Sequence, residues 1–195
     1  MKPILALTML LSLLSAASAA TENYTSGPYE FSFDMNTTLN HSVQIQEILE
    51  TSTTIVYPLL IKTSDNESAS IVLVEYKNLS DSTLDTMELI AARDFEILGY
   101  NNNSSLKMAQ NLTIDDKKGF ALMGNNSRGK QLMQASYWLD SKDCECGPVS
   151  VGRTKVTLTS YYPEDIFYWF ISTLNVEKSK NATANKMPTT FKPPS

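Results

Sequence analysis

Both cysteines of the chain fall in one stretch, SKDCECGPVSVG (141–152), as Cys144 and Cys146. Two thiols one residue apart can bridge, bind a metal or cycle redox state. Structural zinc takes four ligands, usually two Cys or His pairs, and this stretch offers one pair with no histidine near it. Asp143 and Glu145 alternate with the cysteines, so an extended segment would turn them to the opposite face. A flat strand would also hold the two Cβ atoms beyond the ~3.8 Å that a disulfide needs. A Cys144–Cys146 bridge therefore requires a tight turn, and Gly147-Pro148 follows at once. An exported chain with an even cysteine count favours oxidation. Three states stay open: a local bridge, two free thiols, or bridges to another chain. A strained, exposed bridge is easily reduced, so a thiol-redox or metal-binding role of this loop is one alternative function.

The remaining candidates for chemistry are sparse. The one histidine, His41, sits inside Asn40-His41-Ser42. A nucleophile–base mechanism needs a base oriented by a third group in a cleft, which a turn does not provide. Seven glycines form neither GxGxxG nor GxxxxGK[ST], so no phosphate cradle is read and no cofactor is expected. Asp115-Asp116 and Glu164-Asp165 are paired carboxylates that a glycosidase-type hydrolase would use at a fixed separation. Their plainer readings are a turn and a helix start. Tyr137, Trp138, Tyr161, Tyr162, Tyr168 and Trp169 cluster late in the chain. Such aromatics are core or rim more often than a platform for a carbohydrate or a partner.

What the sequence marks most clearly is destination. Met1-Lys2-Pro3 precedes an apolar run from Ile4 to Leu14 and then SAASAAT. That is the form of a secretory signal peptide, too short to span a bilayer comfortably, with the mature chain expected from Ala20 or Thr21. Losing residues 1–20 removes one positive charge, Lys2, and takes the net charge from −5 to −6. An acidic exported chain has no electrostatic case for nucleic acid or anionic lipid. No later apolar run is long enough for a transmembrane helix.

Asn-x-Ser/Thr occurs ten times, at Asn23, Asn36, Asn40, Asn66, Asn78, Asn102, Asn103, Asn111, Asn125 and Asn181. The Asn, Ser and Thr content would place roughly three by chance. Each acceptor must reach a glycosyltransferase, hence surface. The short signal peptide, acidic balance and sequon density resemble archaeal secreted or surface glycoproteins.

Periodicity supplies the elements that must carry these groups. YEFSFDM (29–35), SVQIQEIL (42–49), TTIVYPLLIKT (53–63), ASIVLVEYK (69–77), LKMAQNLTI (106–114) and TKVTLTSYY (154–162) read as strands with one buried face. Pro58 removes a ladder donor, which puts that strand at an edge or at a bulge. Residues 115–140 read as a hairpin around GNNSRG. Leu84, Met87, Ala91, Phe95 and Leu98 lie on one face of an expected helix over about 82–98. A second helix is expected over 163–176, with Pro163 at its first position, Glu164 and Asp165 in its first turn, and Ile166, Phe167, Phe170, Ile171 and Leu174 on its core face.

Short turns between strands imply a mostly antiparallel sheet, and two amphipathic helices would cover it. The expectation is an α+β domain over residues 21–176, followed by a flexible, proline-containing tail over 177–195. The element order over 29–176, closed by a helix launched from YYPEDIFYWF, weakly resembles the PsbP-like class of antiparallel sheets sandwiched by helices. That resemblance implies a fold in which many members bind partners and do no chemistry. The functional expectation is a secreted, N-glycosylated, non-enzymatic domain that binds or assembles at the cell surface with a protein or carbohydrate partner. A carboxylate-dependent hydrolase is the other alternative. The 141–152 loop carries no sequon and is the expected contact face.

Overall fold

A computed structural model describes residues 21–35, 40–63, 68–78, 106–125, 129–141 and 152–179, with the side chains of the β-strand at 106–114 described from Leu112 onward. Cys144 and Cys146, the helix expected over about 82–98, and Asn36, Asn66, Asn102, Asn103 and Asn181 lie outside the described residues.

Eleven strands and one helix are present among the described residues. The strands are β1 (Glu22–Ser26), β2 (Tyr29–Phe33), β3 (His41–Ile45), β4 (Leu49–Glu50), β5 (Thr54–Thr63), β6 (Ser68–Tyr76), β7 (Leu106–Ile114), β8 (Lys117–Asn125), β9 (Gln131–Trp138), β10 (Thr154–Ser160) and β11 (Asn175–Lys178). The helix α1 spans Glu164–Thr173. The expectation of a sheet covered by two amphipathic helices is therefore corrected. The described chain is mostly antiparallel sheet, and part of the cover over that sheet is itself a sheet. The order β3-β5-β6-β10-β9-β8-β7 forms the large sheet, with β4 also on β5, and β1-β2-β11 forms a small one.

Alternation explains the layers. Tyr29, Phe31 and Phe33 of β2 are buried while Glu30 is exposed. Tyr57, Leu59 and Ile61 of β5, Ile71 and Leu73 of β6, and Val156 and Leu158 of β10 are buried in the same core. Phe167, Phe170 and Ile171 of α1 join it, and Phe33 packs on Phe170 at 4.7 Å between ring centroids. Burying each such side chain stabilises the fold by about 1.5–3 kcal/mol.

Two local details fix the layers against each other. Gly27 turns β1 into β2 at φ +57°, a region that favours glycine. A Cβ there would lie 2.5 Å from the Tyr57 ring, so glycine also lets the turn rest on β5. Pro58 falls where the neighbours of β5 change. β3 pairs with Leu59–Thr63, β4 pairs with Ile55 and Val56, and the Gln46 N–H donates to the Pro58 carbonyl at 3.0 Å. The interrupted ladder needs no donor from residue 58, which is what proline requires.

The helix ends earlier than expected. Leu174 adopts extended backbone, and β11 then pairs with β2 through Val176 opposite Phe31. Glu177 and Lys178, read from sequence as the start of the tail, belong to this strand.

Candidate functional site

The turn between β7 and β8 is Asp115-Asp116, both at positive φ (52° and 56°). Aspartate tolerates this conformation better than most residues, and two such residues in succession make a tight hairpin turn whose twist matches the strands. The turn carries the Asp115 carboxylate to the end of the sandwich. There Oδ2 accepts the Val176 N–H at 3.2 Å and the Tyr137 hydroxyl at 3.1 Å. One oxygen thus ties the small sheet, through β11, to β9 of the large sheet.

Glu75 makes a similar tie. Its Oε2 accepts the Tyr29 hydroxyl at 3.1 Å, with the Tyr57 hydroxyl at 3.5 Å, and its Oε1 lies 3.6 Å from Lys178 Nζ. The Lys178 ammonium also stands 5.5 Å from the centroid of the Tyr29 ring. Tyr29 and Tyr57 meet edge to face at 5.1 Å. Asp140 closes the same end of the molecule, accepting the Arg153 N–H at 3.1 Å and the Thr154 N–H at 2.8 Å.

Between these ties lies a cleft of about 1140 Å³. Its carboxylates are Glu75, Asp115, Asp116, Asp140 and Glu177, and its cations are Lys77, Lys117, Arg153 and Lys178. The burial that brings these groups together shifts several of them. Desolvation raises the Asp115 carboxyl above the usual carboxylate value, opposed by the bonds from Val176 and Tyr137 and by the Lys117 charge. Burial and then the Glu75 charge raise the Tyr57 phenol to about 12, and the same two causes lead in raising Tyr29 further. Burial and the Asp115 charge push Tyr137 well above its ordinary range. All of these phenols are donors at neutral pH.

The structure brings together some of the residues singled out from sequence and separates others. Asp115 and Asp116 line the cleft, whereas Glu164 and Asp165 are exposed at the start of α1. His41 is not near the cleft lining. Its Nε2 meets Glu22 Oε1 at 2.5 Å, which joins the edge strand β3 to β1. Of the late aromatics, Tyr137 and Tyr162 are core, Trp138 is buried on the other face of β9, Tyr161 and Tyr168 are half-buried, and Trp169 is exposed.

Asn23, Asn40 and Asn78 are exposed; Asn125, half-buried, is the last residue of β8, and Asn111 pairs with Phe120 within β7. Asn23 lies in β1. Sequence reasoning missed Glu75 and Tyr29 as a pair. Glu75 continues the inward register of Ile71 and Leu73, and a carboxylate on a buried-face position was the available signal.

No family model, no curated protein and no solved structure matches this chain. Among the described residues no helix is long and apolar enough to cross a membrane, and no group of His, Cys, Asp and Glu could hold a metal ion.

Proposed function

We propose that the chain is a secreted, N-glycosylated, non-enzymatic domain that acts at the cell surface by binding or assembly. The observation that carries this reading is the use made of the cleft carboxylates. Asp115, Glu75 and Asp140 each accept hydrogen bonds that hold strands or layers together. A carboxylate spent on a backbone N–H and a buried phenol is a poor base for a substrate, because leaving those donors unpaired costs about 1–3 kcal/mol each. The exposure of Asn23, Asn40 and Asn78 supports the glycosylated part of the reading. The apolar leader supports export.

The test has two parts. Intact mass of the native protein, before and after removal of N-glycans, should fall by whole glycans, with Asn23, Asn40 and Asn78 among the occupied sites. A broad panel of glycoside, ester and peptide substrates should show no turnover. An unglycosylated native protein removes the first half of the proposal. Turnover abolished by one carboxylate substitution removes the second.

One observation favours a hydrolase as the second reading. The burial that raises Asp115 makes its protonated form more available in a polar cleft, as a general acid requires. Asp115→Asn would then abolish turnover and leave the fold intact.

A further inference from the structure

Trp169 combines exposure with a fixed ring. It is 43% exposed, on the outer side of α1. Its indole N–H nevertheless donates to Asp34 Oδ2 at 2.9 Å. Asp34 is only 8% exposed and sits just past β2. The aspartate is held in turn: its N–H donates to Thr173 Oγ1 at 3.1 Å, and the same hydroxyl lies 3.2 Å from the Asp34 carbonyl. A long side chain on a helix surface is ordinarily free to change rotamer. Here one edge of the indole is bonded to a carboxylate anchored in the joint between α1 and β2.

The surroundings decide what such a ring suits. Helical spacing puts Asp165 and Ser172 on the same face, at i−4 and i+3 from Trp169, and both are exposed. The other large apolar residues exposed among the described ones, Ile45 and Leu49, lie on β3 and β4, whereas α1 packs on β2 and β9. Among the described residues the ring therefore has no other large exposed apolar side chain on its element, and oxygen acceptors stand at helical spacing from it. A protein hot spot buries its aromatic anchor in a well-packed, desolvated pocket. An isolated, oriented ring in a polar setting fits a sugar instead. The C–H groups on one face of a pyranose carry partial positive charge and meet the negative face of the aromatic quadrupole. The sugar hydroxyls then donate to neighbouring oxygens. Negative charge at Asp34, Glu164 and Asp165, on a chain of net charge −5, disfavours uronates, sialylated and sulfated glycans.

We propose that Trp169, oriented by Asp34, is a stacking platform for the face of a neutral pyranose, with Asp165 and Ser172 positioned to receive its hydroxyls. This names a ligand class for the binding role proposed above and rests on that role. Because the ring is already oriented, little rotamer freedom is lost on binding.

The chain holds two tryptophans, Trp169 and the buried Trp138, so Trp169 dominates any response to an aqueous quencher. The full-length glycosylated protein is titrated with oligosaccharides of glucose, galactose, mannose and N-acetylglucosamine, and with a sialylated oligosaccharide as the charged control. Binding is followed by acrylamide quenching and by calorimetry, with circular dichroism checking the fold of each variant. The expected result is saturable protection of Trp169 by at least one neutral series in the millimolar range. Trp169→Ala should weaken binding at least tenfold by calorimetry, and Trp169→Phe should retain part of it. No saturable response to any neutral series overturns the sugar platform, and so does a folded Trp169→Ala that binds as the parent does. A preference for the sialylated glycan overturns the neutral class. None of these outcomes touches the glycan-mass and turnover tests of the wider binding role.

Discussion

The two tryptophans sit in regions that treat polar atoms in opposite ways. Trp138, 1% exposed, lies on the outward-facing side of β9 with Gln134 and Ser136. Its indole nitrogen and the Gln134 Oε1 have no hydrogen-bond partner among the described residues. Trp169 is exposed, yet its indole nitrogen is bonded. The same holds across the joint between the layers, where Asp34, Glu75 and Asp115 all receive donors. On the wall of the large sheet the Trp138 nitrogen and the Gln134 oxygen are buried at a cost, while Ser136 Oγ pairs with Thr157 Oγ1 at 3.1 Å. Polar groups at the joint add hydrogen bonds to the apolar core that the two layers share. Stability in the wall should thus follow volume, and at the joint it should follow hydrogen bonding.

Substitution of Trp138 by Ala gives the largest expected effect, a loss of about 3–5 kcal/mol, because it empties a buried site. Trp169→Ala should lose about 1.5–3 kcal/mol, the bond to a charged acceptor. Urea denaturation measures both, and near-equal losses would break the comparison. Asp115→Ala should cost about 1–3 kcal/mol for each of the two donors it strands, the Val176 N–H and the Tyr137 hydroxyl, offset in part by removal of the desolvated carboxylate.

Asp115→Asn keeps an acceptor and removes the buried charge, which makes it the sharper variant. The folded state raises the Asp115 value, so its stabilising share is complete below the unfolded value of about 4 and is lost as pH rises. The stability advantage of Asp115→Asn over the parent should therefore be absent near pH 3 and present at pH 7. In the wall the sign reverses. Gln134→Met should raise stability by up to about 1 kcal/mol, since it removes an unpaired acceptor and gives up only the long 3.4 Å bond to Ser136 Oγ, which Thr157 still satisfies.

The tyrosines extend the test to alkaline pH. Tyr57 and Tyr24 are both raised to about 12, by burial first and by the Glu75 and Glu22 carboxylates after it. Their stabilising share is whole below an unfolded value of about 10 and is lost as pH climbs through about 12. Circular dichroism over that window should show unfolding in step with phenol ionisation. Ile45→Ser, at a residue 50% exposed and outside both regions, should change stability by no more than about 0.5 kcal/mol.

The strands of the large sheet were legible because their alternation is long. Tyr57, Leu59 and Ile61, or Val156 and Leu158, repeat at period two over enough residues to exclude a helix. The small sheet was half legible. β2 shows three inward aromatics, but β1 and β11 have five and four residues with one inward apolar side chain of note, Tyr24 or Val176. Neither carries a period of its own, and each is a strand because β2 pairs with it. The C-terminal helix was read too long because Leu174 falls at helical spacing from Phe167, Phe170 and Ile171, although it already begins the extended segment into β11. Asp115-Asp116 was legible as a turn. Its role as a tie was not, because its partners Tyr137 and Val176 are 22 and 61 residues away.

The pairing of β2 with β11 also sets an order of events. Phe31 finds Val176 only across 145 residues of chain (176 less 31), and contacts of such separation form late and slowly. Until β11 arrives, β2 lacks one of its two strand neighbours and Asp115 lacks the Val176 N–H. Removing β11 should leave one edge of β2 unpaired and open to pairing with another chain. On the export proposed above, the two-layered fold would stay open until β11 has crossed, because β2 and Asp115 both wait for it.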